Sequence, residues 1–310
     1  MAPLARKPKQ LDRNPTVFEL APGGAGGLVL RATGARRPGA GAPESPPGAA
    51  EADSAEEGSI LEEVDLSAEV DPVALAQARH IAARLSLRRP PHDVRPRRGS
   101  GELGRMGFSD NADDLDLEAT LERLGGKPVP EDDDIVVRDR LRTKRSVVLA
   151  IDVSGSMRGE RIRAIAATVG ALALELAHDD LAVVAFWSDA AVLTALGRVA
   201  DPDRLLHTVL RIPARGLTNV GLPLEVAARQ LARVSARDAR VLLLSDCVHN
   251  AGPDPRMIAT RLPRLDVLLE TAGEHDLSLG RDLARAGRGR LAPIRTYRDV
   301  PAALVDIFAR

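Results

Sequence analysis

The carboxyl-terminal half of the sequence predicts an α/β fold: a doubly wound, mainly parallel six-stranded sheet with helices on both faces. Three observations carry that expectation. Val147-Val148-Leu149-Ala150-Ile151 is an unbroken apolar run of strand length, rich in Val and Ile, the pattern of a strand buried on both faces. Ile162, Ile165, Val169, Leu172 and Leu176 then recur every three or four residues, drawing one apolar stripe along a long helix. Strand-sized and helix-sized patterns alternate from there to residue 308, and such alternation favours parallel strands joined by crossover helices.

In chain order, residues 1–66 read as a largely disordered extension rich in Gly, Pro and Ala, with Pro22-Gly23-Gly24 and Pro38 to Pro47 as its clearest stretches. Within it, Val17 to Leu20 and Leu28 to Arg31 are short runs that could pair as strands. Residues 67–144 read as a helical segment and a charged linker. Asp71 to Leu87 predicts a helix: it has an Asp-Pro start, and Leu75, Ala78, Ala82 and Leu85 share one face with Ile81 beside them. That face packs on its own domain or on a partner. Arg88, Arg89, Arg95, Arg97 and Arg98 are followed by Asp110, Asp113, Asp114, Asp116 and Glu118. No aromatics interleave the arginines, so a solvated linker or internal charge pairing outweighs nucleic-acid binding.

Residues 145–310 form the expected α/β domain. Its strands are 147–151, 181–187, a short edge strand at 191–196, 241–244, 265–269 and 290–294. Its helices follow Gly159, span 202–210, pass through Leu224, Ala227, Ala228, Leu231 and Val234, and span 277–286 and 301–308.

Composition narrows the function classes. A net charge of −1 gives no global attraction to nucleic acid, and 2% aromatic residues leave the core to Ala, Val, Leu and Ile. One cysteine excludes an internal disulfide. The sequence has neither an apolar run of membrane-spanning length nor a basic start followed by an apolar signal core, so the expectation is a cytoplasmic protein without a membrane span.

Five oxygen-bearing side chains stand where the loops of such a sheet would gather them. Asp152, Ser154 and Ser156 follow the first strand directly, Thr218 lies in Gly216-Leu217-Thr218-Asn219, and Asp246 follows Val241-Leu242-Leu243-Leu244-Ser245. Ligands of open α/β sheets bind outside the carboxyl ends of the strands, where a short polar turn reaches solvent without disturbing the core. A hard cation such as Mg²⁺ or Mn²⁺ takes oxygen ligands and keeps some of its waters. Hydroxyls are neutral donors, and a cation held largely by them keeps enough positive charge to attract an incoming carboxylate. Taken singly, each residue has an ordinary role: helix cap for the serines, turn residue for Thr218, strand-end carboxylate for Asp246. Their joint order and strand context point to a metal site.

Asp152-x-Ser154-x-Ser156, with Thr218 and Asp246, resembles a von Willebrand factor A domain over residues 145–310. The resemblance implies a metal-ion-dependent adhesion site (MIDAS) at these five positions, the serines and threonine coordinating directly and the aspartates acting mainly through water. Cys247 departs from the glycine that the family often has after its last aspartate. Leu115-Asp116-Leu117-Glu118-Ala119-Thr120-Leu121 and Gly125-Gly126-Lys127-Pro128-Val129 resemble the region before the A domain in bacterial CoxE-like proteins. That second resemblance implies an intracellular adaptor whose partner is a MoxR-type AAA+ ATPase or its client, in protein activation or metal-cofactor insertion. The ATPase would be a separate chain, since no Gly-x-x-x-x-Gly-Lys-Ser/Thr motif is present.

The alternative is a metal-dependent phosphohydrolase using Asp152. Aspartyl phosphatases need a second aspartate two residues on, where Ser154 stands, and His249 is the nearest candidate base. The expectation is therefore a binding protein rather than an enzyme.

Overall fold

The computed structural model describes residues 14–22, 28–33, 63–66, 70–87, 103–107, 114–125, 131, 134–140, 145–157, 159–176, 179–213 and 216–308. The chain divides into two compact units, Met1–Arg88 with Ser146–Arg310, and Arg89–Arg145. The arginines at 88, 89, 95, 97 and 98, Asp110, Asp113 and the Gly126-Lys127-Pro128-Val129 run lie outside the described residues.

The larger unit begins with strands β1 (Val17–Pro22), β2 (Leu28–Ala32) and β3 (Glu63–Asp65) and helix α1 (Pro72–Leu87). The smaller unit contributes β4 (Leu103–Gly107), β5 (Asp114–Leu115), α2 (Leu117–Leu124) and β6 (Val136–Arg140). The larger unit resumes with β7 (Ser146–Asp152), α3 (Glu160–Glu175), β8 (Asp180–Phe186), β9 (Ala190–Thr194), α4 (Pro202–Arg211) and α5 (Gly221–Leu231). It closes with β10 (Ala239–Ser245), α6 (Pro255–Ala259), β11 (Leu265–Glu270), α7 (Leu277–Ala286), β12 (Arg288–Ile294) and α8 (Val300–Phe308).

The six expected strands are all present, in the order β12-β11-β10-β7-β8-β9, and the sheet continues through β1, β2 and β3 to nine strands. The strands from β12 to β8 run parallel, and β9 is antiparallel to β8. Two expectations change here. The strand at 191–196 is not an edge: it ends at Thr194, and β1 pairs with it in parallel, Val17 opposite Ala190 and Glu19 opposite Val192. Part of the supposedly disordered extension is thus sheet, with β2 pairing β1 and β3 pairing β2, both antiparallel. An exposed β9 would leave a row of unpaired backbone groups, and these short runs satisfy them despite their Gly- and Pro-rich surroundings. Phe18 of β1 is buried and stacks on Trp187, ring centroids 6.2 Å apart.

Strand β7 shows why the central apolar run has no polar face. Val147, Leu149 and Ile151 join one core layer, against Ile165, Ala166, Val169 and Leu172 of α3 and Val300 and Ile307 of α8. Val148 and Ala150 join the opposite layer, against Leu224, Val226 and Ala227 of α5 and Leu279 and Leu283 of α7. Period-two alternation thus feeds both cores from one strand. The Asp71–Leu87 helix packs on its own domain: Ala78 is fully buried in the α3 layer. Its second turn is tied by Arg163, which hydrogen-bonds Gln77.

Near the amino end of β11, Asp266 is fully buried among arginines. Arg264 donates to it twice at 3.0–3.2 Å through Nε, Arg240 lies at 3.4 Å, and the Arg290 backbone N–H donates at 2.8 Å. Arg240 and Arg264 also donate to the carbonyl of Ile307, fixing the last turn of α8.

The smaller unit is a three-stranded sheet in the order β4-β6-β5, antiparallel throughout, with α2 on it. Asp116 caps α2 by accepting the Ala119 N–H, and the Thr120 hydroxyl exchanges hydrogen bonds with the backbone of Val136.

Candidate metal centre

Asp152 is the last residue of β7 and Asp246 the first after β10, adjacent parallel strands, so both carboxylates leave the sheet at the same end. Both are fully buried. The Ser154 N–H donates to Asp152 Oδ1 at 2.9 Å, and the Ser245 hydroxyl donates to Asp152 Oδ2 at 2.6 Å. Ser156 donates its hydroxyl proton to Asp246 Oδ2 at 2.8 Å. With that proton committed, Ser154 Oγ is the donor in its 3.2 Å contact with Ser156 Oγ. Four of the five candidate residues thus form one cluster linked through the two serines and the strand pair.

Thr218 is placed by its backbone. Its N–H donates to Asn250 Oδ1 at 2.7 Å and its carbonyl accepts from Asn250 and Ala251. The neighbouring Asn219 N–H donates to the Trp187 carbonyl at the end of β8. Gly216 has φ +83°, which suits glycine, and its carbonyl oxygen lies 3.5 Å from where a Cβ on Gly155 would stand. The Thr218 loop therefore abuts the Ser154–Ser156 turn. Gly252 supports it from behind, also at φ +83°, where a Cβ would fall 2.5 Å from Asn219 Oδ1.

Three further residues shape the cluster. Ser245 donates to Asp152 while accepting the Cys247 N–H at 2.9 Å. Asn250 orients Thr218. Arg161 donates to the Ser156 carbonyl at 3.0 Å and faces the carboxylate of Glu270 at 3.5 Å. The signal for Ser245 was a polar residue closing an otherwise apolar strand; Asn250 and Arg161 act through contacts that no local pattern encodes.

Burial pushes the Asp152 carboxyl up from 3.8 to about 7, helped by the charge of Asp246 and opposed by the hydrogen bonds from Ser154 and Ser245. Burial likewise raises Asp246, against the Val248 N–H, the Ser156 hydroxyl and the charge of Arg161. Two sequestered carboxylates, of which Asp246 alone feels the Arg161 guanidinium, lack positive charge, and a dication would supply it. The hydroxyl geometry suits a small cation as well: adjacent corners of an octahedron with ligands near 2.1 Å are about 3.0 Å apart, close to the Ser154–Ser156 spacing of 3.2 Å. Among the described residues no group of three or more His, Cys, Asp or Glu is arranged to hold a metal, so this mixed hydroxyl–carboxylate cluster stands as the candidate.

Residues 147–249, a span containing all five candidate residues, match the family model described as von Willebrand factor type A domain. This stretch is a von Willebrand factor A domain. Among curated proteins, none matches the chain in sequence. Solved structures similar to the A domain and its surroundings include an aerotolerance-related membrane protein from Bacteroides fragilis, with 14% identity and a TM-score of 0.44 over 53% of this chain and 98% of that one. A von Willebrand factor type A protein from Catenulispora acidiphila matches with 22% identity and a TM-score of 0.46, over 55% of this chain and 43% of that one. Proximal thread matrix protein 1 from the mussel byssus, in a structure with a zinc-occupied MIDAS motif, matches with 15% identity and a TM-score of 0.45 over 53% and 47%. This chain covers less than half the length of the latter two proteins. A domains are generally protein-interaction modules rather than enzymes.

His249, the candidate base, is held by neighbouring backbone. Its Nδ1 accepts the Val220 N–H at 3.3 Å, its Nε2 is buried, and burial lowers its pKa. Cys247, where the family often has glycine, adopts φ +58° and is fully buried, and burial with the nearby aspartates raises its thiol well above the usual range. No helix among the described residues is long and apolar enough to cross a membrane.

Proposed function

We propose that this chain is a metal-dependent protein-binding adaptor, in which a Mg²⁺ or Mn²⁺ ion at Asp152, Ser154, Ser156, Thr218 and Asp246 captures an Asp or Glu side chain of a partner. The observation that carries the reading is the cluster in which Ser154 and Ser156 sit 3.2 Å apart beside two buried carboxylates. The hydroxyls are the direct ligands, while Asp152 and Asp246 hold coordinated waters and balance charge without saturating the ion. A cation held there would supply Lewis acidity toward an oxygen ligand. The protein supplies a rigid cradle: Ser245 and the Ser154 N–H fix Asp152, and Arg161 fixes the Ser156 backbone.

The partner is a MoxR-type AAA+ ATPase or its client, in protein activation or metal-cofactor insertion, which places the adaptor in the cytosol. The support is the CoxE-like run from Leu115 to Leu121, here the end of β5 and the start of α2, ahead of an A domain in a chain without a phosphate loop of its own. A purified MoxR-type ATPase is the test ligand. Retention on the immobilised chain in Mg²⁺, loss in EDTA and loss on Asp152→Ala or Ser154→Ala are the expected results. Equal retention in chelator overturns the proposal.

A further inference from the structure

Helix α2 of the smaller unit carries an apolar row that is exposed among the described residues. Leu117 and Leu121 are 63% and 60% exposed, and Leu115, two residues before the helix, is 44% exposed. Only eight large hydrophobic side chains among the described residues are this exposed, and three fall within seven positions. Exposed leucines scattered singly need no explanation, but a contiguous set does. Leu117 and Leu121 are one helical turn apart and share a face. The buried side of α2, Ala119 and Thr120, is already committed to its own sheet.

Beside this apolar row runs an acidic one. Glu118 and Glu122 have the same one-turn spacing, displaced around the helix by one residue, and both are exposed. The surface is thus two parallel stripes, leucine and glutamate, over two turns of helix. Its complement is another helix whose apolar stripe is flanked by Lys or Arg. The chain's own basic run does not supply one. From Arg88 to Arg98 it is interrupted by Pro90, Pro91 and Pro96, and Val94 is its one large apolar side chain.

We propose that the Leu117–Leu121 and Glu118–Glu122 rows of α2 form a docking surface for a basic amphipathic helix of a partner protein. This contact is separate from the metal centre and does not need the cation. The test uses the full chain and two synthetic helical peptides with one shared leucine stripe, flanked by lysines in one and by glutamates in the other, followed by fluorescence anisotropy. The lysine peptide binds at least about tenfold tighter than the glutamate peptide at low salt, a difference that shrinks as salt screens it. Leu117→Ser with Leu121→Ser weakens the lysine peptide about tenfold or more, while the melting temperature stays put because these side chains are solvent-exposed. Glu118→Gln with Glu122→Gln weakens it several-fold, about as expected for rim charges, and removes most of the salt dependence. All of these hold equally in Mg²⁺ and in EDTA, so a failed metal centre leaves this result untouched. Equal binding of both peptides, or wild-type affinity in the serine variant, overturns the proposal. So does a Leu121→Cys thiol that maleimide cannot reach in the free chain, since the face is then covered by the chain itself; buried Cys247 gives little background.

Discussion

Replacing Asp152 with Asn separates the cost of the metal centre from its use. In the folded chain the Asp152 carboxyl titrates near 7 rather than 3.8, chiefly because it is buried and secondly because Asp246 is close. A carboxyl raised on folding binds its proton more tightly in the folded state, so its stabilising effect is complete below about pH 4 and is lost as pH rises to about 7. Above that, the ionised side chain costs the metal-free fold up to roughly 4 kcal/mol. An amide cannot ionise. It keeps the bond from the Ser154 N–H and turns a donor toward Ser245, whose oxygen already accepts from Cys247, at a cost of about 1 kcal/mol. At pH 8 in EDTA the Asn variant is therefore more stable by roughly 1–3 kcal/mol, or about 3–10 °C in melting temperature for a unit of this size. At pH 5 the difference largely closes. Saturating Mg²⁺ reverses the order: an ion at a thousand times its dissociation constant adds about 4.1 kcal/mol to the parent and nothing to the variant. Differential scanning calorimetry of both proteins at the two pH values, with and without Mg²⁺, reads all four quantities. An Asn variant that melts below the parent in EDTA at pH 8, or that gains as much from Mg²⁺, shows that Asp152 is a structural carboxylate.

Other substitutions address the remaining members. Ser154→Ala and Thr218→Ala each lower Mn²⁺ affinity, measured by electron paramagnetic resonance, by about tenfold or more, with metal-free melting changed by no more than about 1 kcal/mol; undiminished affinity in Thr218→Ala removes it from the ligand set. Asp266→Ala strands Arg240 and Arg264 and costs about 3–5 kcal/mol in urea unfolding, with Mn²⁺ affinity unchanged because Asp266 sits near the amino end of β11, two strands from β7 and three register positions short of Asp152. Cys247→Gly relieves the positive φ but empties a buried site, so its stability stays within about 1 kcal/mol of the parent, whereas Cys247→Val forces a β-branched side chain to φ +58° and costs more than about 2 kcal/mol. Ellman's reagent leaves native Cys247 unmodified and titrates one thiol only after denaturation, since burial keeps the thiol protonated and covered.

The central strands were legible because both their faces are apolar: β7, β10 and β11 each read as a run of Val, Leu and Ile, and the structure buries almost every residue of them. The helices were legible by their stripes, Ile165, Val169 and Leu172 on α3 being the clearest. The runs at 17–20 and 28–31 were legible as a candidate strand pair, and they do pair; what composition hid was that they extend the main sheet. Glycine and proline dominate around β1 and β2, yet five register pairs join them, and β1 is held to β9 by a neighbour more than 170 residues away in sequence, where Thr16 donates to Asp189. No local window contains that partner. Helix α6 escaped for a different reason: at five residues, Pro255–Ala259 is too short to show a helical period, and only the Asp254 cap before Pro255 marks its start.

The candidate site was legible for a related reason, since parallel topology turns sequence-distant strand ends into neighbours. Asp152 and Asp246 are 94 positions apart, but β7 and β10 are paired in parallel, with Leu244 opposite Ile151, so Asp152 comes level with Ser245 and Asp246 follows one residue beyond at the same end of the sheet. Charge arithmetic then constrains what the cluster can be. Two carboxylates already match the charge of a dication, and a third or fourth would leave the site net negative and repel an outside acid. Here two carboxylates are partly satisfied from within, Asp152 by Ser245 and the Ser154 N–H, Asp246 by Ser156 and the Val248 N–H, while the other candidate ligands are uncharged. Arg161, anchored on the Ser156 carbonyl, adds positive charge at the same end of the sheet. A cation bound in that setting would be held by hydroxyl geometry as well as by charge, and would keep an attraction for a further carboxylate.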